Sequence, residues 1–126
     1  MTEKFFQKIP MRSPKIYAYK ELGKEYENLL KIGYTTRSIE ERMKEHYPTK
    51  GPEGIKRYEL LLLEPSMRSD GSYFMDHEVR RLLIKNGFKN VGGEWIDCSI
   101  GDVKASINSL MQREEFDSNR TLNFKL

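Results

Sequence analysis

The chain has 126 residues, of which 33% are charged, and a formal net charge of +3. This length suits one domain with a modest core and is too short for two. The mild basic excess permits a nucleic-acid partner without requiring one. One cysteine and two histidines exclude an internal disulfide framework and a structural zinc cage built from Cys and His ligands.

No segment predicts a membrane span or an export signal. The longest purely apolar run, Leu60 to Leu63, is far shorter than the roughly 20 residues of a membrane helix, and the polar N-terminus has no signal-peptide pattern. The Walker A loop, the dinucleotide-binding glycine motif, the G-x-S-x-G elbow and the H-E-x-x-H zinc motif are also missing. We therefore expect a soluble, cytoplasmic protein with no membrane partner.

The first half of the chain predicts a hairpin followed by a helix. Residues 1–14 contain two prolines and no period, which predicts an irregular arm. The segments "KIYAYK" and "LLKIGY" predict two short strands that pair as an antiparallel hairpin. Ser38 and Glu41 form an S-x-x-E capping box, so a helix is expected to begin there and to end at Pro48. Its predicted buried stripe comprises Ile39, Met43 and Tyr47.

The second half predicts two strands and two helices. "RYELLLLE" is apolar on both faces, which predicts a third strand in the middle of the sheet. "SYFMDHEVRRLLIKNG" predicts a helix that ends at Gly87, and its stripe comprises Met75, Val79, Leu82 and Leu83. "FKNVGGEWIDC" predicts a short strand broken by Gly92 and Gly93. Asp102 is the expected N-cap of a last helix, which carries Val103, Ile107, Leu110 and Met111.

This order of elements indicates an α+β layer arrangement. We expect the domain to occupy residues 15–111, between the arm and a tail of residues 112–126 in which the helical period is lost. The tail is either a linker that leads to a further domain or a natural frayed C-terminus, and the pattern favours neither.

Polar side chains at the borders of the helical stripes suggest phosphodiester chemistry. Arg42 and His46 are four residues apart, so they project from the same side of their helix, and Glu78 borders the stripe of the next one. An arginine for phosphate charge, a carboxylate for one hard cation, and a tyrosine or histidine near the attacking water suit phosphodiester hydrolysis. The simpler alternative is that Arg42 pairs with Glu41 or Glu45 on the surface while His46 is a partly buried spacer.

Taken together, "KIYAY", "KIGYTTRSIEERMKEH" and "DHEVRRLLIKNGFKNVGGEWIDC" resemble the motifs of the GIY-YIG endonuclease superfamily. The last segment, with its G-E-W, is similar to a phage-related subgroup whose members occur alone or fused to other DNA-processing domains. The resemblance covers about residues 15–111 and implies an α+β fold with a small three-stranded antiparallel sheet flanked by helices. It also implies a DNA endonuclease that uses Mg²⁺ or Mn²⁺.

The resemblance also assigns roles to single residues. It implies that Tyr17 is the tyrosine of the first motif and Gly33 the glycine of the second. Arg42 takes the place of the helix arginine, and His46 that of the residue one turn later. Glu78 takes the place of the glutamate that holds the divalent metal. The implied catalytic residues are Tyr17, Arg42, His46 and Glu78, with Glu78 as the metal ligand.

Lys31 departs from the superfamily pattern, because the second motif reads K-I-G where a tyrosine is expected. Three explanations are open: Tyr17 alone orients or activates water, Tyr34 or Lys31 replaces the missing tyrosine, or activity is reduced. His77 is a further auxiliary candidate. Trp95 is expected to pack in the core. The predicted basic rim for the DNA backbone comprises Lys15, Lys20, Lys31, Arg37, Arg80 and Arg81.

The function predicted from these residues is hydrolysis of phosphodiester bonds in DNA, in a phage, restriction or other DNA-processing context. The alternative is a non-catalytic DNA-binding or targeting module with the same fold. A third interpretation is a protein-interaction domain in which Arg42 and Glu78 merely pair in the folded state.

Overall fold

The computed structural model describes residues 13–23, 28–47 and 57–125, with side chains up to residue 112. Most of the predicted N-terminal arm lies outside these ranges. The helices and strands are β1 (Lys15–Glu21), β2 (Leu29–Thr35), α1 (Ile39–His46), β3 (Tyr58–Pro65), α2 (Asp76–Lys85), β4 (Lys89–Gly92), β5 (Trp95–Asp97) and α3 (Ile100–Lys125). Within the described ranges, no helix has both the length and the apolar character needed to cross a membrane.

The strands form one antiparallel sheet in the order β3-β1-β2-β5-β4. The predicted α+β class and the β1–β2 hairpin are confirmed, but the expectation of three strands is wrong, because the described sheet has five. The segment that was expected to be one broken strand is a hairpin instead. Gly92 and Gly93 have φ values of 149° and 54°, which favour glycine, and they turn the chain from β4 into β5. This hairpin extends the sheet beyond β2.

Strand β3 lies at an edge of the described sheet, so its predicted central position is wrong. Within β3, Leu62 is buried, whereas Leu60, Leu61 and Leu63 are between 36% and 40% exposed. The pairing passes from Ala18–Leu62 to Tyr19–Leu60, which leaves Leu61 as the extra residue of a β-bulge. Four consecutive leucines give the same apolar pattern whether a strand has neighbours on both sides or on one, which explains the error.

The alternation of β1 separates two cores. Ile16 and Ala18 face helices α2 and α3, and Tyr17 and Tyr19 face helix α1. The larger core also includes Leu30, Ile32, Leu62, Phe74, Val79, Leu83, Ile96, Val103, Ile107 and Leu110. The smaller core is completed by Met43, with Ile39, Tyr47, Tyr58 and Trp95 packed around it. The sheet therefore lies between α1 on one side and the α2–α3 pair on the other.

Local signals place the start of α1 and the end of α2 as predicted, whereas α2 begins only at Asp76, after the first residues of the predicted segment, Ser72 to Met75. The Ser38 hydroxyl accepts a hydrogen bond from the backbone N–H of Glu41 at 3.2 Å, which confirms the cap of α1. Helix α1 ends at His46, and Pro48 lies outside the described residues. Helix α2 is followed by Gly87, which has a φ of 99°, so the predicted end of this helix is also confirmed.

The start of α3 differs from the prediction. The helix begins at Ile100, before the expected cap Asp102. The Asp102 carboxylate accepts hydrogen bonds from the backbone N–H and the hydroxyl of Ser99, at 2.9 and 2.8 Å, and the Ser99 hydroxyl accepts from the N–H of Asp102 at 3.2 Å. Asp102 is thus the reciprocal partner in a capping box and Ser99 is the cap. The backbone of α3 continues to Lys125, through most of the segment that was predicted as a tail.

Gly33 provides a test of the packing that holds β1 against β2. A Cβ atom at this position would lie 2.3 Å from Cζ and 2.4 Å from Oη of Tyr17, whose ring is fully buried. We expect Gly33→Ala to lower the free energy of unfolding by about 1–3 kcal/mol, because the ring has to move in a closely packed core. Urea denaturation measures this change.

The matched control is Gly101→Ala in α3, where a Cβ atom would meet Ser99 Oγ at an ordinary 3.7 Å. This control should be neutral or stabilising, because alanine favours a helix more than glycine does. A Gly33→Ala protein with the wild-type denaturation midpoint would contradict the proposed packing.

Candidate active site

The hydroxyl of Tyr17 is the centre of the candidate site. Strand β1 buries its ring, and Arg42 Nε donates a hydrogen bond to its Oη at 3.2 Å. His46 Nε2 lies 2.9 Å from the same Oη. Arg42 and His46 are one helical turn apart on α1, so both reach down to the sheet. The structure therefore brings together three of the four predicted catalytic residues.

Aromatic side chains surround this group and hold it in place. The ring of Tyr19 is stacked on Tyr17 at 6.1 Å between centroids. Tyr47, Tyr58 and Trp95 contact Tyr19 edge-on at 5.9, 5.7 and 6.0 Å. The predicted packing role of Trp95 is confirmed by its place in this smaller core. Rings packed in this way leave Tyr17 little room to change rotamer.

Arg42 pairs with a surface carboxylate as well as with Tyr17. One of its terminal nitrogens donates to a Glu45 carboxylate oxygen at 2.8 Å, and Arg37 donates to the other oxygen of that carboxylate at 2.6 Å. The pairing with Glu45 considered from the sequence is thus present in addition to the contact with Tyr17. Two guanidinium groups converge on one exposed carboxylate, an arrangement that suits oxyanions in general.

Lys31 lies on the other side of His46. Its Nζ is 3.4 Å from His46 Nδ1, 4.0 Å from a Glu94 carboxylate oxygen and 5.7 Å from the centroid of the Tyr19 ring. Burial lowers the pKa of Lys31, and the nearby Glu94 opposes that change. The residue that replaces the expected tyrosine is therefore a member of the site.

The charged groups around Tyr17 have opposite effects on its pKa. Burial raises the pKa of Tyr17 above its usual value of 10.0; the hydrogen bond and charge of Arg42 lower it, and the charges of Glu94 and Asp76 raise it further. In the protein alone, Tyr17 is therefore a neutral phenol at neutral pH.

Asp76, the first residue of α2, was not predicted from the sequence. Its carboxylate accepts a hydrogen bond from Arg80 at 2.6 Å, and Arg80 also donates to the backbone oxygen of Ile32 at 2.8 Å. The charge of Asp76 acts on both Tyr17 and Tyr34. The available signal was the i,i+4 spacing of Asp76 and Arg80, which indicates an ion pair but says nothing about its distance from β2.

Glu78, the predicted metal ligand, caps its own helix in this structure. Its carboxylate accepts a hydrogen bond from the backbone N–H of Met75 at 3.0 Å. Asp76 and Glu78 are thus two carboxylates in the first turn of α2. Among the described residues, no group of three or more His, Cys, Asp or Glu side chains is arranged to hold a metal ion.

The other two auxiliary candidates, Tyr34 and His77, are in different surroundings from Lys31. Tyr34 packs against the larger core on the other face of the sheet, where its ring stacks on Tyr73 at 6.2 Å. His77 is exposed on α2.

The predicted DNA-binding residues are distributed over both faces. Lys15 shares the face of Tyr17 by the alternation of β1, and Arg37 joins the cluster through Glu45. Lys20 pairs with Glu59 at 3.4 Å, Arg80 anchors α2 to β2, and Arg81 is exposed.

The ionisation of His46 tests the electrostatics of the site. Burial, and then the charges of Lys31 and Arg42, lower the pKa of His46 from 6.5 to about 4. Between these pH values the unfolded chain binds a proton that the folded chain does not, so acidification from about pH 6.5 to 4 should destabilise the fold. His46→Asn should weaken this pH dependence of the urea midpoint relative to wild type.

Nuclear magnetic resonance measures the same ionisation directly. The chain has two histidines, so the spectrum of a His77→Asn variant identifies the ring signals of His46. We expect these signals to titrate with a midpoint near 4. A midpoint near 6.5, the value of an unperturbed histidine, would show that the ring is not desolvated as described.

The chain was compared with known protein families, curated proteins and solved structures. No curated protein and no solved structure matches the chain. The T5orf172 domain matches residues 15–111, which is more than half of the chain. This domain occurs in phage proteins and is a DNA-associated, nuclease-like module. The chain therefore belongs to the T5orf172 domain family.

Proposed function

We propose that this domain is a divalent-metal-dependent DNA endonuclease that works in the manner of the GIY-YIG superfamily. The observation that carries the proposal is the convergence of Arg42 and His46 on the buried hydroxyl of Tyr17, at 3.2 and 2.9 Å. These are residue types that position a phosphate and exchange protons during phosphodiester hydrolysis. The T5orf172 match supports the same reaction class.

Arg42 and Arg37 would hold the phosphate. Their guanidinium groups already share the carboxylate of Glu45 at 2.8 and 2.6 Å, and exposed ion pairs of this kind are weak. A DNA phosphate carries the same charge and the same forked oxygen geometry, so it can replace Glu45 at these two groups. Arg42 then stabilises the charge that develops on the phosphate during attack.

The carboxylates at the start of α2 fit a magnesium-type cation. Such ions are held by one or two carboxylates, with water and substrate oxygens completing the shell, so a larger protein cluster is not required. Both carboxylates are candidates: the charge of Asp76 acts on Tyr17, and Glu78 is the ligand that the family resemblance implies. When bound, the cation supplies positive charge that favours the phenolate form of Tyr17.

Tyr17 would then act as the base. Its phenol first loses its proton to solvent. The phenolate oxygen takes a proton from water, the water oxygen bonds to phosphorus, and the bond from phosphorus to the leaving deoxyribose oxygen breaks. That leaving oxygen takes a proton from solvent. His46 and Arg42 keep the Tyr17 oxygen at its place throughout, because both contacts are present in the resting protein.

Plasmid nicking with Mg²⁺ or Mn²⁺ tests this proposal. We expect wild-type cleavage, and a loss of about 10²–10³-fold in rate for Arg42→Ala, which removes the group that stabilises developing charge. Tyr17→Phe should remove cleavage as well. Lys104→Ala, at an exposed position on α3, also removes one positive charge; it is the control for Arg42→Ala and should cleave like wild type.

The same assay identifies the metal ligand. Asp76→Asn and Glu78→Gln each remove one carboxylate charge, and glutamine retains an oxygen that can cap α2 in place of Glu78. The metal ligand is the residue whose replacement raises the metal concentration needed for half-maximal cleavage. No cleavage by wild type with either metal, with salt-sensitive DNA binding intact, would favour the non-catalytic DNA-binding module. Absence of DNA binding as well would favour the protein-interaction domain.

The role assigned to Glu45 gives a prediction of the opposite sign. Glu45→Gln removes the charge that competes with phosphate for Arg37 and Arg42, so DNA should bind more tightly, by about two- to fivefold, as expected for a weak exposed ion pair. Fluorescence anisotropy with a short labelled duplex at fixed salt measures the change. Glu64→Gln, a cross-strand neighbour of Ile16 on the face of the sheet opposite Tyr17, is the control for a general change in net charge. An equal gain in both variants would contradict a local anion site.

A further inference from the structure

Two contacts connect Lys31 to the hydroxyl of Tyr17 through His46. Lys31 Nζ is 3.4 Å from His46 Nδ1, and His46 Nε2 is 2.9 Å from Tyr17 Oη. Arg42 Nε donates to that same Oη at 3.2 Å. The direction of the second contact depends on which nitrogen of the imidazole carries hydrogen.

The lysine determines this direction. A charged ammonium group has three hydrogens and no lone pair, so it can only donate. In the contact with Lys31, Nδ1 of His46 must therefore be the acceptor and carry no hydrogen. A neutral imidazole has one N–H, which places the hydrogen of His46 on Nε2. The opposite tautomer would set an Nδ1–H against the ammonium hydrogens.

The tautomer in turn orients Tyr17. With hydrogen on Nε2, His46 donates to Tyr17 Oη, and Arg42 donates to the same atom. A phenol oxygen has two lone pairs and one hydrogen, so both acceptor positions are filled by protein groups. The hydroxyl hydrogen of Tyr17 must then point away from His46 and Arg42.

We propose that Lys31 is a positioning residue that fixes His46 as the Nε2–H tautomer and so directs the hydroxyl hydrogen of Tyr17 toward the substrate. The two donors that hold Oη also stabilise the phenolate when that hydrogen leaves. The catalytic consequence rests on the proposed endonuclease function, whereas the tautomer does not. Lysine at this position thus serves the tyrosine of the first motif without itself touching the reacting atoms.

The tautomer can be read from the ¹⁵N resonances of the His46 ring in the metal-free, full-length protein at neutral pH. We expect an Nδ1 resonance typical of a bare nitrogen and an Nε2 resonance typical of N–H. Lys31→Met removes the donor and should give averaged resonances from a mixture of tautomers. Lys31→Arg retains a group that only donates and should restore the wild-type pattern. Lys20→Met, on the opposite face of the sheet, is the matched control and should not change it.

Two results would overturn the proposal: an Nδ1–H tautomer in wild type, or an unchanged His46 spectrum in Lys31→Met. If Lys31→Met does not fold, as judged by its backbone amide spectrum, the wild-type resonances and Lys31→Arg still decide. In the nicking assay we expect Lys31→Met to be slower by about 10²-fold, the lower end of the range for a lost proton-transfer arrangement.

The spectroscopic and kinetic results separate this inference from the proposed function. If the tautomer pattern is as expected but neither wild type nor any variant cleaves DNA, the role of Lys31 in orienting Tyr17 is supported and the endonuclease function is rejected. Cleavage by wild type, with His46 resonances that do not respond to Lys31→Met, supports the endonuclease and rejects the role of Lys31.

Discussion

The contact between the ring of Tyr17 and the backbone of Gly33 determines where the site can form. The two residues are cross-strand partners in the β1–β2 pair, and the space a Cβ atom would need at Gly33 is filled by the ring. The ring therefore lies over β2 and not beside it, with its hydroxyl toward α1. Arg42 and His46 reach that hydroxyl because Ser38 fixes where α1 begins, and hence which side of the helix these side chains occupy.

Positive charge is concentrated around this hydroxyl, while negative charge lies at its border. Burial, and then the charges of Lys31 and Arg42, lower the pKa of His46, so the imidazole stays neutral and acts through the direction of its hydrogen bonds. Glu45 and Glu94 pair with these two cations from partly exposed positions. An anionic substrate gains from the cations once such carboxylates are displaced or screened, which agrees with a phosphate ligand.

The fold was predictable where the determining signal is local. The capping box at Ser38 and the glycine after α2 involve residues within one turn of each other, and both were placed correctly. The position of β3 was not, because an edge strand and a central strand share the same run of leucines and differ only in long-range pairing. Asp102 was misassigned because the two members of a capping box exchange hydrogen bonds, and the aspartate resembles a cap in isolation.

The same distinction applies to the site. Arg42 and His46 share a helix face through a spacing of four residues, so their proximity followed from the sequence. The contact of Lys31 with His46 joins residues 15 positions apart, and the influence of Asp76 on Tyr17 crosses from α2 to β1. The periodicity of a sequence does not encode such distances between elements. The family resemblance pointed to Glu78 and not to Asp76, although both lie in the first turn of α2.

The lysine in place of a tyrosine changes which tautomers of His46 the site allows. A tyrosine hydroxyl both donates and accepts, so next to His46 Nδ1 it would be compatible with either imidazole tautomer. A charged lysine is compatible with one. This selectivity has a cost, since burial lowers the pKa of Lys31 and Glu94 only opposes that change. A neutral amine would gain a lone pair and accept from Nδ1–H, so the orientation of Tyr17 depends on the charge of Lys31 and on the Glu94 carboxylate that helps to retain it.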